Sequence, residues 1–434
     1  MRLNWFSPLP PEQTDIAHYT ARVAPALMDR FEVVFWTDLR VDVNALPVGA
    51  QIRIFDTRHI EERSFNREVF RGINIYNIGN DSRFHAGIYL VAQRIPGLVV
   101  LHDARLHHFI FELSRNDQPP FASYIALAKE LYGKSGEAKA RSIVAANGQT
   151  IDQHVESMPF MEAILENAIG TICHSKSAGA EARMRSDIPT LTLPLPFART
   201  IRVVSPPRVW APPWRLIMFG YINPNRRLES VINALAGMRE NLEFQLDIYG
   251  TLWNEQLIQR MIVQSGLTDR VTVHGFVPEN QLDNAIASAH MAFNLRYPTM
   301  GEASGGILRS WACATPTLVT DAGWYADLPD DVTRKISADN DVIAIRNALT
   351  ELVHSPQRFE KMGLTARALL IEAHSAKAYS ESLAKALPDF PRLMTRAASH
   401  RMLARVAANS RASKEREVLL ERATAQLLQW FPKF

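Results

Sequence analysis

Short apolar segments, separated by longer stretches with helical spacing, recur along the whole chain. Such segments are typical of parallel strands that are buried on both faces of a sheet. The predicted strands are Arg2–Phe6, Glu32–Thr37, Gln51–Phe55, Ile73–Ile78, Leu98–Leu101, Thr171–His174, Thr190–Leu193, Leu216–Phe219, Phe244–Tyr249, Val271–His274, Met291–Leu295, Thr317–Val319 and Thr333–Ile336. They fall into two successive sets, which predicts an α/β fold with two doubly wound sheets.

A proline-rich segment separates the two sets. It contains Pro194-Leu195-Pro196, Ser205-Pro206-Pro207 and Pro212-Pro213, which cannot continue a helix or a central strand. We therefore predict an N-terminal Rossmann-like domain in residues 1–200, a linker in residues 201–214 and a C-terminal Rossmann-like domain in residues 215–375. The helical pattern of Ile110–Gln153 predicts a helical insertion in the first domain.

Helical spacing also dominates the end of the chain, residues 376–434. Pro388 and Pro391 interrupt it, and Arg392–Leu428 continues with arginine, lysine and alanine at helical positions. These helices are expected to pack back on the N-terminal domain. For the basic tail, packing on the body, a homodimer contact and peripheral contact with a membrane all remain open.

Composition narrows the class of protein. The chain has 434 residues, 47% hydrophobic residues and a net charge of only +3, which is too diffuse to indicate nucleic acid. Both cysteines, Cys173 and Cys313, lie in apolar segments and are expected to be buried thiols in a reducing compartment. Since we find neither a signal peptide nor an apolar run of roughly 20 residues, we expect a cytoplasmic protein, with the inner membrane surface as an alternative.

The stretch Asn294–Ala322 carries the strongest indication of a ligand site. It reads as strand, loop, helix and strand, and ligands of open α/β sheets bind at the carboxyl ends of strands. Gly305 and Gly306 allow backbone N–H groups to approach an anion, and a helix beginning near Ile307 adds its positive end. With Glu302 nearby, the stretch predicts a ligand that has both phosphate and hydroxyl groups, such as a nucleotide sugar.

Four stretches together resemble glycosyltransferase family 4, a family of retaining enzymes. They are PPEQTDIAHYTARVAPAL at Pro10–Leu27, the segment YNIGN to LHHF at Tyr76–Phe109, FGYINPNRRLESVINAL at Phe219–Leu235, and the segment VTVHGF to ASGG at Val271–Gly306. The resemblance covers about residues 5 to 385. It implies the GT-B fold, with two Rossmann-like domains facing each other across a cleft. It also implies sugar transfer from a nucleotide diphosphate sugar with no metal and no further cofactor.

The same resemblance implies roles for residues of the second domain. Glu302 is expected to bind hydroxyls of the donor sugar, since one carboxylate can accept bonds from two of them. Arg226, Arg227 and the amides of Ser304, Gly305 and Gly306 are expected on the diphosphate, and Gly220, Phe276, Val277 and Ser310 on the nucleoside. The alternatives are a solvated helix start for the arginines, a tight turn for the glycines and a core position for Phe276.

In the first domain, His102 follows the strand Leu98–Leu101, and the resemblance places such a histidine at the donor sugar and acceptor. The alternative is a histidine bonded to its own loop. Residues expected on the acceptor or in the cleft are Thr14, Asp15, His18, Asn80 and Asp103, with His85 facing the same cleft. His18 is a hypothetical acceptor-side base, and Asn80 could instead cap a helix. His102, Asp103, His107 and His108 are not a convincing metal ligand set.

This sequence departs from the family pattern at several positions. Ser310 occupies the place of a second glutamate, eight residues after Glu302, and Tyr221 the place of an arginine. The diphosphate charge must then fall mainly on Arg226 and Arg227. Asp15 stands where a glycine is common, and His18 where an aspartate is.

The favoured hypothesis is retaining transfer of a hexose to a glycan, a lipid-linked saccharide or a protein, in the assembly of a bacterial surface polysaccharide. No protein nucleophile is needed for the front-side route that the resemblance implies. A GT-B protein with other chemistry, such as an epimerase, and a non-catalytic scaffold are the alternatives. A phosphorylase is disfavoured, because the motifs of the second domain contain no lysine that could hold pyridoxal phosphate.

Overall fold

The computed structural model describes residues 1–197, 201, 208–389 and 392. Its strands are β1 Arg2–Phe6, β2 Glu32–Thr37, β3 Gln51–Ile54, β4 Ile73–Ile78, β5 Leu98–Leu101, β6 Gly170–Cys173, β7 Thr190–Thr192, β8 Trp214–Ile222, β9 Phe244–Leu252, β10 Val271–Gly275, β11 Met291–Asn294, β12 Thr317–Thr320 and β13 Arg334–Ile336. Each of them corresponds to a strand predicted from the sequence.

The helices lie between the strands and after the last one. They are α1 Asp15–Met28, α2 Arg63–Val69, α3 Ser82–Ala92, α4 His107–Leu113, α5 Ala122–Ala145, α6 Met161–Leu165, α7 Lys176–Arg185, α8 Leu228–Ala236, α9 Glu255–Gln264, α10 Glu279–Ser288, α11 Gly305–Ala312, α12 Asp341–His354, α13 Pro356–Ala373 and α14 Ala376–Ala386.

The chain forms two compact units. The first comprises Met1–Cys173, Gly179–Leu193 and, among the described residues that follow, 380–389. The second comprises His174–Ala178 and Pro194–Tyr379. Within the first unit, Arg30 donates a 2.5 Å hydrogen bond to Glu381, which ties the middle of α14 to the chain after α1. The predicted prolines Pro206 and Pro207 and the tail beyond Arg392 lie outside the described residues.

The first unit contains a seven-stranded sheet in the order β3-β2-β1-β4-β5-β6-β7, and all its strand pairs are parallel. All six residues of β4 are buried, as expected for a strand covered on both faces. The buried amides of Asn4 and Asn74 bond to each other across β1 and β4, with Asn4 Nδ2 donating to Asn74 Oδ1 at 2.9 Å. The strand order reverses between β1 and β4, which makes their carboxyl ends the expected ligand position in this unit.

The second unit contains a six-stranded parallel sheet in the order β10-β9-β8-β11-β12-β13. Helix α8 buries Val231, Ile232 and Leu235 against the core, in the i, i+1, i+4 pattern of an amphipathic helix. Here the order reverses between β8 and β11. The loops that follow these two strands contain Arg226 and Glu302, so the fold brings the predicted site residues to the switch point of the sheet.

Three local features differ from the sequence prediction. Helix α11 begins at Gly305 and not near Ile307, because Ser304 caps it. Strands β8 and β9 run three residues further than predicted, to Ile222 and Leu252, and remain paired to the end. A Cβ on Gly250 would lie 2.2 Å from Gly220 O, so the pair continues only because this position has no side chain. The predicted insertion is helical, but Gly133 at φ 67° breaks α5 into two segments.

Candidate functional site

The loops after β8 and β11 are joined by hydrogen bonds at the switch point of the second sheet. The backbone N–H of Tyr297 donates to Asn225 O at 2.8 Å, and Asn225 Nδ2 donates to Pro298 O at 3.4 Å. These bonds hold the arginine-containing loop against the loop of Glu302. Two segments about 70 residues apart in the sequence therefore form one ligand-binding edge.

The N-terminus of α11 has the features of an anion site. Ser304 is buried, and its hydroxyl accepts from Ile307 N and donates to Asn294 Oδ1, both at 3.3 Å. The same Asn294 oxygen also accepts a hydrogen bond from the Tyr325 hydroxyl at 2.7 Å, which holds Asn294 in place beside Ser304. A Cβ built on Gly305 meets no atom within 4 Å, so the space before the first turn is open. The N–H groups of Gly305 and Gly306 therefore face open space that an anion could occupy.

The two arginines after β8 differ in their surroundings. Arg226 ends a 3₁₀ turn, Pro224–Arg226, is only 6% exposed and donates from Nη2 to Phe219 O at 3.4 Å. A solvated helix start is therefore wrong for Arg226. Arg227 has a left-handed backbone, φ 60°, and its Nε donates to Asp341 at 2.7 Å. Since this bond joins it to the first residue of α12, Arg227 has a structural partner, and its diphosphate contact stays a prediction.

Glu302 is held within its own loop. Its side chain is 12% exposed and forms an ion pair with Arg296 through Oε1. Oε2 accepts from Met300 N at 2.7 Å and from Thr299 Oγ1 at 3.0 Å. Burial alone would raise the pKa of Glu302, but the Arg296 charge and these hydrogen bonds outweigh it and lower that pKa below its ordinary value. The carboxylate is therefore ionised at neutral pH.

These contacts bear on the predicted role of Glu302. A carboxylate offers about four acceptor positions, and Arg296, Thr299 and Met300 already bond to Glu302. Glu302 therefore offers fewer positions to a ligand than a free carboxylate does, and its contact with sugar hydroxyls stays a prediction.

The predicted nucleoside residues fall into two groups. Gly220 (φ 105°) has open space where a side chain would stand, and Phe276 is 79% exposed, so a core position for Phe276 is wrong. Val277 is partly buried and packs against the hydrophobic cluster that contains Phe219. By contrast Ser310 is fully buried, and its hydroxyl donates to Gly306 O at 3.2 Å within α11. This geometry gives Ser310 a structural role and does not support the expected contact with a ribose.

In the first unit, His102 lies directly after β5, with its backbone N–H bonded to Ile78 O at 2.9 Å. Its Nε2 is 3.0 Å from Asn77 Oδ1, and Asn77 donates its own Nδ2 to Phe6 O at 3.0 Å. With the amide oriented in this way, Nε2 of His102 carries the proton. The Tyr19 ring meets the imidazole edge-on, with centroids 4.7 Å apart. The ring is thus fixed in orientation, and Nδ1 carries the lone pair in its neutral form.

Hydrogen bonds tie the neighbouring loop residues together. Asp103 Oδ2 accepts from Asn80 N at 2.8 Å, and Asn80 Oδ1 accepts from Phe109 N at 3.0 Å, in the first turn of α4. Asn80 therefore links the loop after β4 to α4. His85, expected to face the cleft, is 1% exposed and bonded to Asn77 O, so that expectation is wrong.

The residues of the loop after β1 lie at the start of α1. Thr14 is the N-cap, since its Oγ1 accepts from Ile16 N at 3.4 Å. Asp15 and His18 are exposed, one turn apart on this helix. Contact between Tyr19 and His102 brings the beginning of α1 close to the end of β5. The acceptor roles of these residues stay predictions.

Sequence reasoning missed the residues that hold the predicted ones. Arg296 pairs with Glu302, Asn77 orients His102, Asn294 fixes Ser304, and Asp341 binds Arg227. A polar residue inside or just after an apolar strand was the available signal for Asn77, Asn294 and Arg296. Among the described residues, no three His, Cys, Asp or Glu side chains cluster in a way that could hold a metal ion.

Comparison with known proteins finds a family similarity in the second half of the chain. Residues 213–355, about a third of the chain, match the family model described as "Glycosyl transferases group 1". This segment is therefore similar to group 1 glycosyltransferases. It contains the whole switch point of the second sheet, from Arg226 to Ser310. A search of curated proteins with the complete sequence gave no match.

Solved glycosyltransferase structures share the fold over most of the chain. Sucrose-phosphate synthase from Thermosynechococcus elongatus has 14% identity and a TM-score of 0.59, covering 90% of this chain and 99% of that one. Anabaena HepE in complex with UDP-glucose has 13% identity and a TM-score of 0.62, covering 90% and 100%. WaaG, a glycosyltransferase involved in lipopolysaccharide biosynthesis, has 12% identity and a TM-score of 0.52, covering 88% and 98%. The predicted GT-B fold class is confirmed, while the assignment to family 4 stays a prediction.

Proposed function

We propose that this protein is a retaining glycosyltransferase that moves a hexosyl group from a nucleotide diphosphate sugar to a glycan, a lipid-linked saccharide or a protein. The similarity to group 1 glycosyltransferases and the shared fold support the reaction class. The observation that carries the proposal is the composition of one sheet edge. There the open first turn of α11, the buried Arg226 and the buried, ionised Glu302 lie on two loops that are bonded to each other.

This edge suits the leaving group of glycosyl transfer. When the bond between the anomeric carbon and the diphosphate breaks, negative charge builds on the phosphate oxygens. Arg226 and the N–H groups of Gly305 and Gly306 supply fixed positive charge and donors for that charge. Because they are held by the fold before the reaction, they need little rearrangement in the transition state.

The donor sugar is assigned to Glu302. A hydrogen bond from a sugar hydroxyl to a carboxylate is strong and rejects a donor that lacks the hydroxyl. For His102 we keep the predicted role toward a sugar or acceptor hydroxyl, with its Nε2 bonded to Asn77 Oδ1. The acceptor's proton passes to the departing diphosphate, so the route uses neither a protein nucleophile nor a metal.

The donor nucleotide and the acceptor are proposed from the relatives. HepE has been solved with UDP-glucose and with UDP and glucose, which supports a UDP-sugar as the first donor to test. WaaG is involved in lipopolysaccharide biosynthesis, which supports surface polysaccharide assembly as the setting. In the described part of the chain, no helix is long and apolar enough to cross a membrane. We place the reaction in the cytoplasm and assign the basic tail to contact with the inner membrane surface or with a second copy.

Product analysis tests the proposal. The full-length protein is incubated with UDP-glucose, excess EDTA and separate glycan, lipid-linked saccharide and peptide acceptors, and the anomeric proton of the product is observed by NMR. We expect UDP release and a product with the α configuration of the donor. A β product would overturn retention, and transfer that stops on addition of EDTA would overturn the metal-independent route. A protein that binds no nucleotide sugar would favour the scaffold.

A further inference from the structure

Arg296 lies directly behind the predicted sugar-binding carboxylate. It follows β11 by two residues, its side chain is 19% exposed, and Nη1 meets Glu302 Oε1. The Arg296 backbone N–H donates to Thr320 Oγ1 at 3.1 Å, at the end of the neighbouring strand β12. The guanidinium is therefore carried by backbone that is fixed to the sheet and is not free to follow the loop.

The loop itself is built to hold the same carboxylate. Thr299 is buried, and its hydroxyl accepts from Gly301 N at 3.0 Å while it donates to Glu302 Oε2. Met300 N donates to that oxygen as well. Thr299 and Met300, which bond to Oε2, are thus neutral, and Arg296 is the charged partner of Oε1. Arg226, from the loop after β8, is the other cation that we assign to this edge.

We propose that Arg296 is a positioning residue, which orients the carboxylate of Glu302 toward the donor sugar. This inference rests on the function proposed above and deepens it. Because Arg296 holds Oε1 in one direction, the carboxylate accepts only from sugar hydroxyls that point toward it. Specificity among hexoses then depends on the presence and direction of those hydroxyls.

Charge is the second part of the role. Glu302 is mostly buried, and burial favours its protonated form because the charged carboxylate loses contact with solvent. Arg296 opposes that effect and keeps the pKa of Glu302 below its ordinary value. A protonated Glu302 would turn one oxygen from an acceptor into a donor. Loss of Arg296 should therefore change both the aim and the protonation of the carboxylate.

The test compares Arg296→Gln and Arg296→Lys with a matched control, Arg309→Gln. Arg309 belongs to the same segment, is 14% exposed and donates to the buried Asp283 at 2.7 Å, so its replacement breaks a similar ion pair away from Glu302. Calorimetry measures binding of UDP, UDP-glucose, GDP, GDP-mannose, ADP and ADP-glucose to the full-length proteins. Transfer with the donor that binds is then followed against pH.

We expect Arg296→Gln to bind the nucleoside diphosphate as the wild type does, but to lose about tenfold or more in the extra affinity that the sugar confers. The acid limb of kcat/KM should move up by about one pH unit or more, and Arg296→Lys should move it less. Arg309→Gln should melt at a lower temperature with both readouts unchanged. Equal effects of Arg296→Gln and Arg309→Gln, or an unmoved acid limb, would overturn the positioning role alone. A wild type that binds none of the six ligands would overturn the proposed function, and this role with it.

Discussion

Replacement of Glu302 by glutamine is the most informative single change. Glutamine keeps one carbonyl oxygen, which can still accept from Met300 N and Thr299 Oγ1 in place of Oε2. Its NH₂ group must then face Arg296, where the wild type has a carboxylate oxygen. The substitution therefore preserves the shape of the loop but removes the acceptor position assigned to the sugar hydroxyl.

The magnitude follows from the number of bonds lost. One hydrogen bond to a charged group contributes about 1.5–3 kcal/mol, and about 1.4 kcal/mol corresponds to a factor of ten. We expect Glu302→Gln to lower kcat/KM for transfer by about 10-fold to 150-fold. Stability should fall as well, by no more than the roughly 3–5 kcal/mol seen when one partner of a buried ion pair is removed, because the Glu302–Arg296 pair keeps some exposure.

Titration calorimetry and a transfer assay measure these two effects separately. Glu302→Gln should bind the free nucleoside diphosphate nearly as tightly as the wild type, since the diphosphate is assigned to Arg226 and α11. Asp283→Asn is the control, because it removes a buried carboxylate from Arg309 with no link to the sugar. If diphosphate binding collapsed in Glu302→Gln while Asp283→Asn remained active, the assignment of Glu302 to the sugar would be refuted.

Three further predictions test other parts of the structure. Arg226→Met should weaken binding of the nucleoside diphosphate by about 10-fold to 150-fold, measured by calorimetry; an unchanged affinity would remove Arg226 from the diphosphate site. Gly323→Ala should lower the melting temperature and kcat/KM together, because φ is 55° and the new Cβ would lie 2.9 Å from Thr299 Cγ2; normal transfer kinetics would show that Thr299 does not support Glu302. Burial lowers the pKa of His85 to about 4 in the folded protein, whereas its unfolded pKa is about 6.5. The contribution of the neutral histidine to stability is therefore fully present above the unfolded pKa. As pH falls toward 4, the free energy of unfolding should decrease by roughly 3 kcal/mol. Urea unfolding at pH 7 and pH 4.5 measures this, and His85→Gln should show a smaller loss; an equal loss in both proteins would contradict it.

The strands could be predicted because the sheets are parallel and covered on both faces. In β4, all six residues are buried, and Ile73, Ile75 and Ile78 supply the apolar signal although Asn74 and Asn77 interrupt it. The ends of β8 and β9 could not be read in this way. Beyond Phe219 and Tyr249, the strands continue through Gly220 and Gly250 and stay paired. Their backbones approach closely because Gly250 has no side chain, and neither strand has a local sequence pattern that predicts this pairing.

For the site, the sequence predicted the edge but not its internal bonds. The position of Glu302, Gly305 and Gly306 after β11 follows from the order of elements, as does that of Arg226 after β8. In contrast, Arg227 binds Asp341, which lies 114 residues away. Such a partner is set by tertiary packing and leaves no signal in the spacing of either residue.

Two positions illustrate the limit of motif reasoning. The family pattern predicts that Ser310 contacts the ribose, because it occupies a glutamate position. In the structure its hydroxyl bonds to the helix backbone at Gly306, which a serine can reach and which removes it from the surface. The position of His85 after β4 predicts that it faces the cleft, yet it lies on the buried face of α3. In both cases, the face of the helix on which the residue lies determines its contacts, and a short motif does not define that face.

The central claim is that this protein binds a nucleotide diphosphate sugar at the switch point of its second sheet. A thermal-shift panel of UDP, GDP, ADP and their sugar esters, with the full-length protein and no added metal, tests it most directly. A ligand that binds only the native state raises the melting temperature, and at 100 times Kd it adds about 2.7 kcal/mol of stability. We predict a clear shift with the ligands of one base, which is clearly reduced in Arg226→Met. No shift with any of them, or a shift that Arg226→Met retains in full, would contradict the account.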